Sequence, residues 1–383
     1  MDTVYLDNSA TSFPKPSVVY DAMEKAAREF GVNSARGGYS LAQTTAGLIR
    51  KTRSSLAELV GLPTGQQIVL TPSATIGLNT VLFGLEWNSG DNVYLTPFEH
   101  NGVLRPLYHL RESRGIKLWD IPVERDSLIF DLDALKECFE KNKPKLVVVN
   151  HGSNVCGLVA PIEQIALLAK RYDALMLVDA AQTLGVFDID MGKWQLDFVV
   201  FAGHKSLFGP IGVGGIAINS CVQLKPFIYG GTGSESELED MPTDYPERLE
   251  AGSPNIVAIA GLCAGIEHVR ENAHLKSRER QLFSELINVL NKYPEIKVYL
   301  SNCVERRLSV LSCTVAGYTP VEFATVLDQH FGIAVRAGLH CAPRAHQFLG
   351  TAPLGAVRFS LGPGNTDEDI DAVSNALEQL FAM

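Results

Sequence analysis

Short apolar runs, each followed by a polar or glycine-rich turn, recur through the first half of the chain. They cover residues 67–70, 91–95, 145–149, 175–179 and 196–201. An apolar run of this length is typical of a strand that is buried on both faces of a parallel sheet. Helical periodicity appears at residues 17–30, 41–60 and 162–172, and βαβ units require a helix after each strand. The pattern predicts an α/β fold with a mostly parallel sheet flanked by helices.

The last third of the chain predicts a second, smaller unit. A helical pattern at residues 256–270 and 277–293 leads to apolar strands at 309–314 and 357–360. A terminal helix is predicted at 366–381, with Thr366 as its N-cap and acidic residues in its first turn. The glycine- and serine-rich stretch 230–237, with the acidic residues that follow it, predicts a mobile loop. We divide the chain into an N-terminal arm at residues 1–14 that packs with the small domain, a large domain at 15–255, and a linking helix with a small α/β domain at 256–383.

Composition argues against several classes of function. The chain has 383 residues, of which 46% are hydrophobic and 20% are charged, as is typical of globular proteins. A formal net charge of −10 argues against nucleic-acid binding, because phosphate contacts need clustered Lys and Arg. The seven cysteines include no Cys-x-x-Cys pair, so the spacing of zinc and thioredoxin-type sites is missing. We therefore expect no metal. We expect a cytoplasmic protein, since no secretory or membrane-spanning segment is predicted.

Two predicted strands end in residues that suit an aldehyde cofactor. Lys205 follows the strand at 196–201, where an ammonium group is costly to bury unless it is neutralised or bonded. A desolvated lysine loses its proton and can attack an aldehyde, and pyridoxal phosphate (PLP) is the biological aldehyde that uses such a lysine. Asp179 ends the strand at 175–179, where its charge would keep the cofactor's ring nitrogen protonated. The alternatives are a surface lysine and an ordinary helix N-cap.

Further polar groups follow the other predicted strands. His100 can lie flat on a pyridine ring and shuttle protons, Asn154 offers an amide, and Gln182 can bond the ring hydroxyl. Small residues at 71–77 open a helix and predict a phosphate cradle of backbone N–H groups and hydroxyls, although Ser73 and Thr75 are also ordinary N-cap residues. Open α/β sheets bind ligands at the carboxyl edge of their strands. The sequence therefore predicts a PLP site at this edge.

The motifs, in this order and at this spacing, resemble those of the class V (fold type I) PLP-dependent enzymes. The resemblance covers essentially the whole chain. It is carried by residues 5–11, 33–40, 99–101, 153–155, 178–182, 203–205 and 248–255. It implies a large domain with a mixed, mostly parallel sheet of seven strands, and a smaller C-terminal α/β domain.

The resemblance also implies which residues form the site. The cofactor contacts are Ala74, Thr75, His100, Asn154, Asp179, Gln182, His204, Lys205 and Ser253, and the substrate contacts are Asn8, Ala10, Asn154, Arg336 and Arg358. Ser253 would reach the phosphate of a neighbouring subunit, which implies a homodimer with shared sites. Arg358 would hold the substrate carboxylate by a two-pronged salt bridge. An internal ion pair with Asp or Glu is the alternative for this arginine.

Residues 336–343 narrow the resemblance to the SufS-like group II cysteine desulfurases and selenocysteine lyases. In that group a cysteine at the place of Cys341 takes sulfur from cofactor-bound cysteine and becomes a persulfide. Positive charge from Arg336 or a protonated His340 would favour the thiolate. The alternative is that Cys341 is a small buried hydrophobic residue. Leu339 and Ala202 depart from the family pattern, which usually has His at the first position and a phosphate-binding Ser or Thr at the second.

The resemblance implies an enzyme that converts L-cysteine to L-alanine, with Lys205, His100 and Cys341 as catalytic residues. The sulfur would serve iron–sulfur cluster assembly or another pathway, through an acceptor protein. A selenocysteine lyase, or a class V aminotransferase, epimerase or C–S lyase, stays open as an alternative on the same scaffold. A non-catalytic sulfur carrier or scaffold is the alternative of a different class, and the intact Lys205, Asp179 and His100 argue against it.

Overall fold

A computed structural model describes residues 3–34, 38–272, 274–299 and 306–381. In chain order its strands are β1 (Val4–Tyr5), β2 (Ile68–Thr71), β3 (Asn92–Leu95), β4 (Lys117–Asp120), β5 (Pro144–Asn150), β6 (Leu175–Asp179), β7 (Phe198–Ala202), β8 (Gly214–Ile218), β9 (Ile296–Tyr299), β10 (Val310–Val315), β11 (Ile333–Ala334), β12 (Arg336–Gly338) and β13 (Ala356–Ser360). Its α-helices are α1 (Ser17–Lys25), α2 (Ser40–Leu59), α3 (Ala74–Gly84), α4 (Asn101–Arg114), α5 (Leu132–Lys141), α6 (Ile162–Lys170), α7 (Ile256–Glu271), α8 (Leu275–Leu290), α9 (Pro320–Phe331), α10 (Pro343–Leu349) and α11 (Asp367–Phe381).

The large sheet contains seven strands in the order β2-β8-β7-β6-β5-β3-β4. Strands β7, β6, β5, β3 and β4 are parallel to their neighbours in this series, whereas β8 is antiparallel to both β7 and β2. The predicted mixed, mostly parallel sheet is thus confirmed. The parallel strands end at one edge, where Asn150 of β5 lies beside Asp179 of β6.

Apolar side chains cover both faces of the large sheet. Along β5, Val147 and Val149 pack into the core on one face, whereas Leu146 and Val148 pack into the core on the other. Successive residues of a strand point to opposite faces, so a strand that is covered on both faces must be apolar at nearly every position. The uninterrupted apolar runs therefore predict these strands correctly.

The glycine-rich segment after Lys205 forms β8, a strand that the apolar pattern does not predict. A Cβ on Gly214 would lie 2.7 Å from the Phe201 carbonyl oxygen and 2.9 Å from the Ala74 backbone nitrogen. A Cβ on Gly215 would lie 2.5 Å from the Phe201 ring. The absence of side chains lets β8 fit between β7 and β2 and brings the start of α3 close to the sheet.

The smaller sheet is antiparallel, with the order β12-β13-β10-β9. Helices α8, α9 and α11 share its hydrophobic core. The N-terminal segment joins this unit, because β1 pairs with β11 and Leu6 is buried in the same core. The domain boundaries near residues 15 and 255 stay predictions.

Several element bounds differ from the predicted ones. The helix predicted at 17–30 is α-helical only to Lys25 and continues as a π-helical turn at Ala26–Phe30. The pattern does not predict β4, because three of its four residues are exposed and it has no apolar run. Residues 35–37 of the motif at 33–40, and Cys303, lie outside the described residues. No helix in the described ranges is long and apolar enough to cross a bilayer.

Candidate active site

A cavity of about 210 Å³ lies at the carboxyl edge of the large sheet. The sheet, the start of α3, the N-terminal arm and the small unit all contribute to its walls. Twelve predicted site residues line it, namely Ala10, Ala74, Thr75, His100, Asn154, Asp179, Gln182, His204, Lys205, Arg336, Cys341 and Arg358. The tertiary structure thus collects residues from the whole length of the chain in one space.

Lys205 and Asp179 share this cavity in a desolvated environment. Burial lowers the pKa of the Lys205 ammonium to about 8, although the charge of Asp179 opposes the shift. Burial also raises the pKa of Asp179, while a hydrogen bond from the Ala181 N–H to Oδ1 at 3.0 Å opposes that shift. A lysine that loses its proton close to neutral pH can act as a nucleophile toward an aldehyde.

The start of α3 forms one end of the cavity. The Ser73 hydroxyl caps this helix by accepting a hydrogen bond from the Ile76 N–H at 3.3 Å, so the N-cap alternative holds for Ser73. Ala74 and Thr75 line the cavity beside it, and His204 contributes a buried Nδ1 atom without a partner among the described residues. An anion here would meet backbone N–H donors and the positive end of the helix dipole. Ala202 lies in the same wall and supplies no hydroxyl.

His100 is the N-cap of α4. Its Nδ1 accepts a hydrogen bond from the Gly102 N–H at 2.9 Å, so the neutral ring carries its proton on Nε2. Burial lowers the pKa of His100 to about 4, and the charges of Lys205 and Arg336 contribute to this shift. The ring is therefore neutral at physiological pH. A neutral imidazole can pack on a cofactor ring and donate its Nε2 proton.

Two amide side chains also lie in the cavity wall. Asn154 Nδ2 donates to the His340 carbonyl oxygen at 2.8 Å, and Oδ1 is buried without a partner among the described residues. Gln182 Nε2 donates to the Ser9 carbonyl oxygen at 2.9 Å and so ties the end of β6 to the N-terminal arm. Asn154 thus keeps an acceptor for a ligand, and the contact of Gln182 with a ring hydroxyl stays a prediction.

Arg358 is bound mainly by protein groups. It forms an ion pair with Asp7 through Nη2 and donates from Nη1 to the Asn154 carbonyl oxygen at 3.1 Å. Only its Nε is buried without a partner among the described residues. The internal ion pair is therefore present, and substrate binding by Arg358 stays a prediction. Arg336 lies opposite Arg358 in the β12–β13 pair and also lines the cavity.

Cys341 is exposed on the loop between β12 and α10 and lines the cavity. The alternative of a small buried residue is therefore wrong. Cys341 and His340 both have left-handed backbone conformations, with φ of 56° and 49°. This conformation costs a non-glycine residue roughly 1–2 kcal/mol, so the surrounding structure must hold the loop in place.

The structure corrects the expectation that a protonated His340 supports the Cys341 thiolate. His340 is buried, and burial lowers its pKa to about 3, with a further contribution from the charge of Arg358. A neutral imidazole supplies no positive charge to a thiolate. Arg336 is the remaining cation of the two that the sequence suggests for this role.

Two predicted site residues lie outside this cavity. Ser253 lines a different cleft together with Arg53 and Glu250, and its hydroxyl accepts a hydrogen bond from Asn33 Nδ2 at 3.5 Å. Asn8 Nδ2 donates to Asn365 Oδ1 at 3.2 Å and to the Ser360 carbonyl oxygen at 3.3 Å. Their roles toward cofactor and substrate stay predictions, because one chain does not bring either side chain into the cavity.

Glu99 is a buried residue next to the site; it belongs to the motif at 99–101 but is not among the predicted site residues. Its Oε1 accepts hydrogen bonds from the N–H and the hydroxyl of Thr96 at 3.3 and 2.7 Å, and from the Asn150 N–H at 2.7 Å. Glu99, which directly precedes His100 in the chain, therefore connects the end of β3 to the end of β5. Burial raises the pKa of Glu99 to about 8. The signal in the sequence that could identify such a group is an acidic residue in the turn that follows an apolar strand.

Because several histidines are buried, we expect the free energy of unfolding to depend on pH. Burial lowers the pKa of His100, His204 and His346 to about 4, and that of His151 and His340 to about 3. In the unfolded chain each takes up a proton near pH 6.5, so their contribution to stability is complete above that pH and is lost as the pH falls toward 4. We expect the free energy of unfolding in urea to fall between about pH 7 and about pH 5. A constant value over this interval would contradict the prediction.

Comparison with known proteins places this architecture in a family. The chain matches the class-V aminotransferase family model over residues 4–373. It is 34% identical to a probable cysteine desulfurase of Pyrococcus abyssi, over 99% of this chain and 94% of that protein. It is 31% identical to a probable cysteine desulfurase of Methanothermobacter thermautotrophicus, over 100% of this chain and 96% of that protein.

Solved structures agree with the sequence comparison. The apo structure of a cysteine desulfurase from Thermococcus onnurineus NA1 has 32% identity and a TM-score of 0.91, covering 100% of this chain and 95% of that one. The cysteine desulfurase CsdA from Escherichia coli has 28% identity and a TM-score of 0.88, covering 99% of this chain and 95% of that one. This chain belongs to the class-V aminotransferase family, in the branch that contains the cysteine desulfurases.

Proposed function

We propose that this protein is a PLP-dependent cysteine desulfurase that releases L-alanine from L-cysteine and holds the sulfur on Cys341. The observation that carries the proposal is the composition of one cavity, in which an exposed thiol, a desolvated lysine and a buried carboxylate occur together. Lys205 and Asp179 are the groups that PLP chemistry in general requires, so they do not distinguish a desulfurase from other PLP enzymes. The thiol of Cys341 favours sulfur transfer, because transamination requires no thiol.

The groups in the cavity fit the cofactor. The N-terminus of α3 offers donors to a phosphate, and His204 Nδ1 is a buried nitrogen in the same wall without a partner among the described residues. The Asp179 carboxylate would lie beside the ring nitrogen, and the Lys205 amine would react with the aldehyde. The His100 ring would stack on the face of the cofactor ring. PLP bound there supplies an electron sink that makes the α-carbon of an amino acid acidic.

Cys341 performs the nucleophilic step. Its thiolate attacks the sulfur of the substrate, so that a sulfur–sulfur bond forms while the bond between the substrate's Cβ and its sulfur breaks. The electron pair of that bond stays with the carbon, which takes up a proton and leaves as alanine. The Lys205 amine and the His100 Nε2–H are the groups that can move protons. Cysteine and an enzyme thiol thus give alanine and an enzyme persulfide, with no other reactant.

We propose that Arg336 contributes to binding of the substrate carboxylate. Most of the Arg358 guanidinium is occupied by Asp7 and Asn154, whereas none of the ion pairs among the described residues involves Arg336. We expect Arg336→Gln to raise KM for L-cysteine about tenfold, because a charge-assisted bond is lost. Arg344→Gln is the matched control, since Arg344 pairs with Asp120 outside the cavity. Initial rates that show a lower kcat with unchanged KM would instead limit Arg336 to stabilising the thiolate.

Product analysis tests the proposed function. The purified protein is incubated with PLP and L-cysteine, and alanine, sulfide and pyruvate are quantified. Alanine, with one extra sulfur on the Cys341 peptide, is the expected result. Pyruvate would indicate β-elimination by a C–S lyase, and a keto acid that retains its sulfur would indicate an aminotransferase. Alanine formed only from L-selenocysteine would indicate a selenocysteine lyase.

We also propose a homodimer and a protein acceptor for the sulfur. Ser253 lies outside the cavity of its own chain, which is compatible with a contact to a neighbouring subunit's cofactor. A cytoplasmic location is part of the proposal, because all six cysteines within the described ranges are free thiols, as a reducing compartment would keep them. Iron–sulfur cluster assembly is one pathway that such an enzyme would supply.

A further inference from the structure

The loop that carries Cys341 is held from two sides. On the outer side, the His340 carbonyl oxygen accepts a hydrogen bond from Asn154 Nδ2 at 2.8 Å, and the Cys341 carbonyl oxygen accepts one from the Asn101 N–H at 2.7 Å. These bonds fix the carbonyl groups of two consecutive residues whose φ angles are positive. Non-glycine residues keep this backbone conformation only when contacts with the surrounding structure hold it in place.

On the inner side, the His340 ring belongs to a buried chain of hydrogen bonds. Its Nε2 lies 3.3 Å from the Arg336 carbonyl oxygen, and its Nδ1 lies 3.1 Å from His346 Nε2. His346 Nδ1 in turn lies 2.7 Å from Thr351 Oγ1. His340 is 4% exposed, His346 is 0% and Thr351 is 8%. Solvent therefore has little access to replace a lost member of the chain.

Only one arrangement of protons satisfies this chain when both imidazoles are neutral. The Arg336 carbonyl oxygen can only accept, so His340 carries its proton on Nε2 and accepts at Nδ1. His346 must then donate from Nε2 and accept at Nδ1 from the Thr351 hydroxyl. That nitrogen lies 2.7 Å from the hydroxyl oxygen, closer than the His346 carbonyl oxygen at 3.4 Å. Burial lowers the pKa of His340 to about 3 and that of His346 to about 4, so both rings are neutral at physiological pH.

We infer that His346 and Thr351 are positioning residues for Cys341. They fix the tautomer and the orientation of the His340 ring, and through it they hold the loop in the conformation that presents the thiol to the cavity. The inference rests on the function proposed above, in which Cys341 accepts sulfur. Neither His346 nor Thr351 lines the cavity, so neither touches cofactor or substrate directly.

Substitutions in the chain test this role. His346→Leu leaves His340 Nδ1 without a donor, and we expect the single-turnover rate of sulfur loading on Cys341 to fall about tenfold or more. His346→Gln keeps a donor toward His340 and an acceptor toward Thr351, and we expect it to restore the rate to within about threefold of wild type. Thr351→Val removes the hydroxyl donor and should give an intermediate loss. Gln347→Leu, at an exposed position next to His346 on α10, is the matched control.

Three further readouts separate positioning from loss of structure. The thermal midpoint reports folding, the visible absorbance of the bound cofactor reports the rest of the site, and the rate at which iodoacetamide alkylates Cys341 reports the thiol without turnover. We expect the alkylation rate and sulfur loading to change in His346→Leu while cofactor absorbance is retained. If His346→Leu does not fold, Thr351→Val decides the matter by the same readouts.

Two results would overturn the inference. One is a folded His346→Leu protein with normal cofactor absorbance that loads sulfur on Cys341 at the wild-type rate. The other is a His346→Gln protein that is as slow as His346→Leu, because the hydrogen bond would then not be what matters. Failure of the proposed function is distinguishable, since wild type would then carry no sulfur on Cys341, and the alkylation rates would still test the positioning.

Discussion

Lys205→Ala is expected to abolish both covalent attachment of PLP and turnover of L-cysteine. The Lys205 amine is the desolvated nucleophile of the cavity, and its pKa of about 8 leaves a useful neutral fraction near neutral pH. We expect a loss of activity of about three orders of magnitude or more, as when other enzymes lose a nucleophile. Some PLP should still bind without a covalent link, because α3 and His204 remain in place. Borohydride reduction followed by peptide mass spectrometry locates the link, and visible absorbance reports it.

Lys193→Ala is the control for this experiment, since Lys193 is exposed and lies outside the cavity. It should retain covalent cofactor and full activity. We also expect covalent attachment in the wild type to become faster as the pH rises through about 8, because only the neutral amine attacks an aldehyde. A wild-type protein that stays colourless and inactive after addition of PLP would contradict the cofactor assignment as a whole.

Cys341→Ala is expected to retain PLP but to lose sulfur transfer. Lys205, Asp179 and His100 remain in the cavity, so cofactor absorbance and its response to L-cysteine should persist. Formation of alanine from L-cysteine should fall by about three orders of magnitude, because the nucleophile is removed and the binding site is not. Selenocysteine should be affected less, since selenium leaves more easily than sulfur. Mass spectrometry after brief exposure of wild type to L-cysteine should find one reducible sulfur on the Cys341 peptide.

The other cysteines provide controls for this prediction. Cys221 is the second exposed cysteine in the part of the chain that the structure describes, and it does not line the cavity, so Cys221→Ala should behave as wild type. Cys156 follows Asn154 in sequence, but it is buried, and burial raises the pKa of its thiol. Persulfide found on Cys156, or alanine formation by Cys341→Ala at the wild-type rate, would contradict the role proposed for Cys341. The C–S lyase or aminotransferase alternatives would then be favoured.

Local sequence is sufficient to predict the parallel core of the large sheet. Strands β5, β6 and β7 are covered on both faces, and their apolar runs carry that information residue by residue. Because parallel strands end at one edge, the order of Asn154, Asp179 and Lys205 along the chain also predicts that they meet. Strands β4 and β8 escape prediction for different reasons. β4 is a largely exposed strand at the sheet's edge and therefore has no apolar run. β8 begins with glycines, which allow Phe201 and Ala74 to approach the backbone closely.

The chemical types in the cavity were thus determined by the sequence alone. Residue types at the ends of buried strands predict Asn154, Asp179 and Lys205, whereas Cys341 and Arg336 follow from the family resemblance. Tertiary structure decided what those residues contact. The ion pair of Arg358 with Asp7 and the hydrogen bonds of Asn8 join the two ends of the chain, and no local pattern encodes such a pairing. The neutral state of His340 likewise depends on desolvation by groups that pack around it. Burial and partner choice arise only when distant segments close on one another, which is why these features required the folded molecule.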